Sequence, residues 1–439
     1  MAIVAAGDRH PVAGLNPEPM VATVNLHDTR VVVTGTGVIS PVGNSVGGAW
    51  DSVLEGRSGI GPITTFDASG FRTHFAGEVK EFDITEFISA KEARRLDPFC
   101  HYAIGATSEA VKTSGLDLQA IDNHRVGVFV GSGIGGIRTF EQQCGCYATG
   151  GPARVSPFLI PMFISDMASG MIAILYDLRG PNFSIVSACA TGSHAIGEAW
   201  WVIKRGDADV MITGGSEACL APTGLAGFCK MKALSERNDD PQTASRPFDA
   251  DRDGFVMAEG AGVLVIESLE HATRRGATIL AEIIGYAASA DAYHMTAPRP
   301  DADGAAAAIR GALERAKIAP ADVHYINAHG TSTPFNDKFE TMAIKSVFGD
   351  CAGSIPVSST KALTGHTLGA AGGIETIFCI QALNHSTVPG TFNLHTADPD
   401  CDLDYIPNES RATQVKVALN MNFGFGGHNA ILVIKKFEG

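Results

Sequence analysis

Arg30-Val31-Val32-Val33-Thr34-Gly35-Thr36-Gly37 reads as a buried strand running into a glycine turn. A near-continuous apolar run without polar alternation describes a strand covered on both faces. The same signature returns at Val126 to Val130, Ser184 to Val186, Val210 to Thr213 and Gly262 to Ile266. Helical stretches fall between these strands, notably Ile164 to Tyr176 and Gly192 to Lys204. Apolar strands alternating with helices predict an α/β arrangement with helices on both sheet faces. Gly35-Thr36-Gly37 after the first strand is only a weak dinucleotide signal, because the full glycine spacing is missing.

The pattern then starts again at Leu280 to Gly285. A helix is expected at Gly304 to Arg315, a strand at Val323 to Asn327, a helix at Asn336 to Phe348 and a strand near Pro356 to Ser358. A small-residue helix from Gly369 to Leu383 follows, and Gln414 to Asn420 with Ala430 to Lys435 make a closing strand pair. Each half runs from a first strand, through a strand ending at a reactive loop, to paired C-terminal strands. The layout predicts a duplicated fold, with halves at 29–278 and 279–439 behind an irregular N-terminal extension at 1–28. In either half the reactive residues fall just past strand ends, where open sheets place ligand sites.

A chain of 439 residues can bury a large core. Its 47 acidic and 33 basic residues give a formal charge of -14, which argues against nucleic-acid binding and against general attraction to anionic membranes. No apolar run has transmembrane length, so no membrane insertion is expected. The nine cysteines are scattered and odd in number, which fits a reducing compartment and hence a cytoplasmic location. Asp8, Glu18 and Asp28 make an organelle transit peptide a poor reading of the first residues.

Three segments built from small residues carry the reactive groups: Val186 to Gly192 around Cys189, Asn327 to Thr333 around His329, and Lys361 to His366. Cys189 stands between a strand and a helix rich in Ala and Gly. A helix N-terminus favours thiolate over thiol through its free N–H groups and dipole. Taken alone, Cys189 is equally one more buried thiol. His329 and His366 lie in polar loops beside Gly and Thr, where an imidazole can donate a proton to a carbonyl oxygen or withdraw one. The competing reading is a satisfied core histidine. A zinc site is disfavoured, since no third ligand is recognisable and the metal would tie up the thiolate.

Lys361 and Glu375 are candidate supporting charges. An unpaired carboxylate in the apolar Gly369-to-Leu383 helix would be costly, so a structural ion pair with Lys361 is the alternative for both. Thr331 and Thr333 offer hydroxyls to a bound amide. Asn422 to Asn429 sets Phe423 and Phe425 among three glycines, a loop able to offer an N–H to an oxyanion and to move an aromatic lid. Simple packing of both rings is the rival view. Together these groups point to acyl chemistry through a cysteine nucleophile.

At this point the sequence resembles the β-ketoacyl-acyl-carrier-protein synthases of type II fatty-acid elongation. The resemblance is carried by Ser187-Ala188-Cys189, Asn327 to Asp337, Val357 to Lys361, Thr364-Gly365-His366, Gly369 to Gly373, Asp291 to Thr296 and Gly424 to Gly427, in order over residues 30–436. It implies a thiolase-like five-layered αβαβα fold built from two duplicated halves, and a homodimer. It implies that Cys189 is the acyl-accepting nucleophile, that His329 and His366 act on a malonyl thioester, and that Lys361 and Glu375 support them. Phe425 would be the gate, with its N–H and that of Cys189 holding the oxyanion. Thr331 and Thr333 would contact pantetheine, and Ile134, Leu159, Phe228 and Phe425 would line the acyl pocket. The chain departs from the family at Leu159, often aromatic there, and at His428, often Thr.

The implied reaction joins an acyl group on Cys189 to malonyl-acyl-carrier protein with loss of carbon dioxide. Its substrates ride on the phosphopantetheine of acyl carrier protein. Decarboxylation drives the step, so no nicotinamide, flavin or metal is expected. A polyketide-type ketosynthase is the first rival. A non-catalytic scaffold that only binds acyl carrier protein is the second, and the intact Cys189, His329 and His366 speak against it. A thiolase fits less well, because Gly-Phe-Gly-Gly stands where its second cysteine belongs.

Overall fold

Nine strands carry the fold in the computed structural model, which describes residues 29–118 and 120–439; the expected extension at 1–28 lies outside the described residues. In chain order they are β1 (Val31–Ile39), β2 (Val126–Gly131), β3 (Val210–Glu217), β4 (Gly260–Ser268), β5 (Ala281–Ala290), β6 (Tyr325–Asn327), β7 (Val357–Ser358), β8 (Val417–Gly424) and β9 (His428–Lys435). Their hydrogen-bonded order is β2-β3-β4-β1-β5-β9-β8-β6-β7. The order divides at β1–β5, where only Val31 to Val33 pair with Ala281 to Ile283.

On either side of that join the strands follow one rule. In the first half β2 pairs parallel with β3, and β3–β4 and β4–β1 are antiparallel. In the second half β6 pairs parallel with β8, and β8–β9 and β9–β5 are antiparallel. An isolated bridge between Val128 and Asn182 supplies the outer position that β7 fills in the second half. The duplication expected from the layout is therefore visible in strand order and direction.

Helices complete five layers. α1 (Pro98–Ser114) and α2 (Met167–Tyr176) cover the outer face of the first sheet. α4 (Asp303–Ala316) and α5 (Pro334–Phe348) belong to the outer layer of the second. Between the sheets lie α3 (Thr191–Lys204) and α6 (Ala371–His385), packed on each other and on both sheets. One apolar cluster surrounds these central helices, including Trp200, Ile377 and Phe378, and two more fill the outer interfaces. Among the described residues no helix is long and apolar enough to cross a membrane.

Two local expectations change. β1 runs on through Gly35 and Gly37 to Ile39, so no turn forms there. A Cβ on either glycine would collide with the carbonyl oxygen of Ala110 or Ala106, and the missing side chains let α1 lie directly on the strand. The strand expected at Ser184 to Val186 has no ladder beyond the Val128–Asn182 bridge. That segment sits at the sheet edge with one neighbour, and Phe183 and Val186 remain about half exposed.

Candidate active site

The two central helices begin in the same way. A 3-10 turn at Ala188–Ala190 leads into α3, and another at Leu368–Ala370 leads into α6. Ala188 and Leu368 open these turns with φ of 50° and 47°, left-handed values that cost about 1–3 kcal/mol in a residue with a Cβ. Cys189 and Gly369 thus occupy equivalent positions in the two halves. The turn around Cys189 is anchored by the Ser187 N–H, which donates to Thr191 Oγ1 at 2.9 Å. The Ser187 hydroxyl donates to His194 Nδ1 at 2.6 Å, and His194 donates on to the backbone of Asn429.

Cys189 is buried, and its sulfur is hydrogen-bonded by its own backbone N–H and by that of Phe425. A Cβ on Gly424 would stand 2.5 Å from the Ser187 carbonyl oxygen, so glycine there lets the Phe425 loop close over the nucleophile turn. Burial pushes the Cys189 thiol up to about 12; Lys361 acts in the opposite sense and Glu217 in the same one. Burial works against the thiolate preference expected from a helix N-terminus: desolvation disfavours the charged form and holds the proton on the sulfur.

His329 and His366 meet edge to face with ring centroids 5.2 Å apart. Both follow short strands as expected, His329 after β6 and His366 eight residues after β7. Burial, followed by the nearby Lys361 charge, holds both imidazoles well below their ordinary value, so they stand neutral at pH 7. Asn422 selects the tautomer of His329. Its Oδ1 accepts from Ser193 and its Nδ2 donates to Glu375 Oε2 at 2.7 Å, leaving an N–H facing His329 Nδ1 at 3.5 Å. An N–H facing Nδ1 leaves the ring proton on Nε2.

Lys361 and Glu375 are both buried and paired with each other, which answers the need for a partner in the α6 interior. Through Asn422 this ion pair reaches His329. Thr331 and Thr333 share a hydroxyl contact of 3.0 Å, and Thr333 also caps α5 by accepting from the Asn336 N–H.

One cavity of about 480 Å³ joins these groups. Cys189, His329, His366, Thr331, Thr333, Ile134, Phe228 and Phe425 all line it. Leu159 does not; it lies in the short helix Leu159–Phe163, outside the lining. His428 also lies outside it and opens β9, its ring edge-on to His194 at 6.4 Å.

Three residues of the site escaped the sequence reading. Glu340, on α5, accepts from the N–H groups of His329 and Gly330 at 2.7 Å each and so fixes the His329 loop. Asn422 joins the histidine to the ion pair. Glu217, at the end of β3, holds both walls of the cavity. A buried acid one helical turn past Asn336, in the helix that follows His329, was the available signal for Glu340.

Comparison with known proteins follows the same division into halves. The chain matches the family described as "Beta-ketoacyl synthase, N-terminal domain" over residues 28–272, and "Beta-ketoacyl synthase, C-terminal domain" over 280–395. It is 52% identical over 414 residues to a 3-oxoacyl-[acyl-carrier-protein] synthase 2 of Synechocystis sp., covering 94% of this chain and 100% of that protein. The corresponding protein of Coxiella burnetii is 50% identical over 407 residues, covering 93% and 98%. Among solved structures, a type II polyketide ketosynthase in complex with its acyl-carrier protein and bound to the hexaketide superposes with a TM-score of 0.87. It shares 37% identity, with 93% of this chain and 100% of that one covered.

Proposed function

The chain belongs to the β-ketoacyl synthase family, and on that premise we propose how its residues carry out the decarboxylative condensation of fatty-acid elongation. The enzyme is an acyltransferase that makes a β-ketoacyl thioester. The observation that carries the residue assignment is the meeting of one thiol, two neutral imidazoles and two sulfur-directed N–H groups in one cavity.

Cys189 attacks the thioester carbonyl of an acyl chain carried on the phosphopantetheine of acyl carrier protein. Its proton leaves with the pantetheine thiol, and an acyl–cysteine thioester remains. Because the resting sulfur is a thiol, proton loss accompanies this attack. Malonyl-carrier then enters, with Thr331 and Thr333 on the pantetheine amide. The Nε2–H of His329 and the ring N–H of His366 donate to the malonyl thioester oxygen as carbon dioxide departs and the released electron pair forms an enolate. The enolate carbon attacks the acyl carbonyl, whose oxygen is held by the N–H groups of Cys189 and Phe425. Collapse expels the Cys189 sulfur as a thiolate, which takes up a proton from solvent to restore the resting thiol, and frees the product. Every electron pair in this sequence comes from the substrates or Cys189, so the bond-forming step requires no redox cofactor.

A homodimer is part of the proposal. Among the described residues the sheet edge beside Asn182 is unpaired on its outer side and exposes Phe183 and Val186. Asn182 is tied to α2, whose Ile174 is 70% exposed. Unpaired apolar edges of this kind invite pairing with another chain. We read residues 29–278 and 279–439 as the fused halves and the cytoplasm as the site of action.

Intact-protein mass spectrometry after incubation with an acyl-carrier protein tests the assignment. We expect an acyl adduct on wild-type enzyme and none on Cys189→Ala, which should also lose condensation while remaining folded. Condensation near the wild-type rate in purified C189A would remove Cys189 as the nucleophile. The polyketide reading draws on the hexaketide-bound neighbour. Defined acyl-carriers of graded length separate the two, because a fatty-acid enzyme extends saturated chains.

A further inference from the structure

Glu217 ends β3 with no exposed surface, yet its carboxylate lines the cavity that contains Cys189. Both oxygens are fully engaged. Oε1 accepts from the Ser132 hydroxyl at 2.8 Å and the Ile134 N–H at 3.2 Å. Oε2 accepts from the Gly133 N–H at 2.9 Å and the Gly369 N–H at 3.0 Å. The donors come from two separate elements. Ser132 to Ile134 follow β2 and form one cavity wall, while Gly369 belongs to the turn between His366 and α6. A Cβ on Gly369 would come within 2.5 Å of the Gly133 nitrogen, so the two segments are in close contact and the carboxylate fastens them.

The same group acts on the nucleophile. Its charge raises the Cys189 thiol, against the lowering effect of Lys361. It also raises the buried Cys219 thiol two residues further on. Burial brings Glu217 itself up to about 7, while its four donors pull the other way. An ionised carboxylate in the same cavity disfavours ionisation of the thiol.

We propose that Glu217 is a positioning residue for the acyl pocket: its buried carboxylate clamps the Gly133–Ile134 wall to the Gly369 turn, in the same cavity as Cys189. The inference rests on the condensing-enzyme reading and deepens it. It makes chain selection depend on a carboxylate that need not touch the acyl chain, because Ile134 holds its place through that carboxylate.

Glu217→Gln separates the two effects from mere packing. The amide has nearly the same volume, but its oxygen serves only one pair of donors and its NH₂ meets at least one backbone N–H head on, that of Ile134 or those of Gly133 and Gly369. Two readouts are taken on the purified enzyme. Iodoacetamide alkylation of Cys189 across pH should shift to lower pH, with a rate at pH 8 about threefold or more above wild type. The ratio of kcat/KM for long against short acyl-carriers should change by about fivefold or more. Failure of either readout to move overturns the proposal. If E217Q does not fold, Ser132→Ala tests the clamp: the chain-length ratio should change by about twofold or more, and an unchanged ratio overturns it. Wild-type enzyme that fails to condense any acyl-carrier would instead remove the functional reading, whereas an active wild type with unaltered variants removes only this inference.

Discussion

Burial decides the resting protonation of the reactive side chains before any substrate arrives. It leaves Cys189 as a thiol and His329 and His366 as neutral rings. A neutral imidazole donates its N–H to an enolate oxygen, and one held well below its ordinary value is a poor acceptor for the Cys189 proton. Either histidine-to-Ala change should therefore lower condensation by about 10²–10⁴ while slowing acylation of Cys189 by no more than about tenfold. Single-turnover acylation followed by mass spectrometry, set beside steady-state condensation, reads both steps. Equal loss in the two would reassign the histidines to activation of the sulfur. Cys189, His329, His366, Lys361 and Glu375 were legible in sequence because reactive or charged groups stood in loops and helices otherwise built from small or apolar residues. Glu217, Glu340 and Asn422 were not. Their work lies in which backbone N–H or side chain they meet across the fold, and Glu217 reaches donors 85 and 152 residues away. Leu159 was placed in the pocket by resemblance, yet within one chain it stands outside the lining.

Among the elements, the long strands and helices were legible because they are buried on both sides and leave continuous apolar runs. The failures share a cause. At Gly35 and Gly37 the glycines serve contact with α1, and local sequence cannot distinguish contact from a turn. At Ser184 to Val186 the apolar run lies on a sheet edge and finds one neighbour only. The central helices extend the lesson. Gly192 of α3 and Gly372 of α6 face each other so closely that a Cβ on Gly192 would lie 2.8 Å from the Gly373 nitrogen. A Cβ on Gly373 would strike the Gly262 carbonyl of β4. Backbone rather than a flexible side chain blocks the new methyl, so Gly373→Ala should destabilise the protein by about 1–3 kcal/mol despite the better helix propensity of Ala. Chemical denaturation measures this. A neutral or stabilising result would mean that α6 can shift without loss, and the close packing of the two turns would then not be what sets the distance between Cys189 and the histidines.

For the whole molecule, stability against pH is the sum of buried groups that pull in opposite directions. Burial raises Glu340 to about 8, well above the ordinary carboxyl value of 4.5. The folded chain then holds a proton that the unfolded chain releases, so its contribution is fully present below about pH 4.5 and is lost as pH rises through 8. His194 runs the other way. Burial lowers it to about 4, and stability from its neutral form is present above 6.5 and lost as pH falls through 4. Glu267 is also opposed: burial alone would raise it, but Arg275, His271 and Thr34 bring it to about 2, so its contribution is present above about pH 4.5 and is lost as pH falls through 2. Between pH 6.5 and 8 these latter two are already in their stabilising forms, and Glu340 is still titrating alongside Glu217. Glu340→Gln removes one contribution to the slope in this range. At pH 6 the variant should be less stable, because its NH₂ faces one of the N–H donors of His329 and Gly330 that the acid accepts. As pH rises, wild type loses the Glu340 contribution and the variant has none to lose. The stability gap between them should narrow by up to about 1.4 kcal/mol per pH unit. Thermal and urea unfolding of both proteins from pH 6 to 8.5 reads that gap directly. A gap that stays constant or widens would mean that Glu340 is ionised throughout this range, held by its two backbone donors more strongly than burial opposes it.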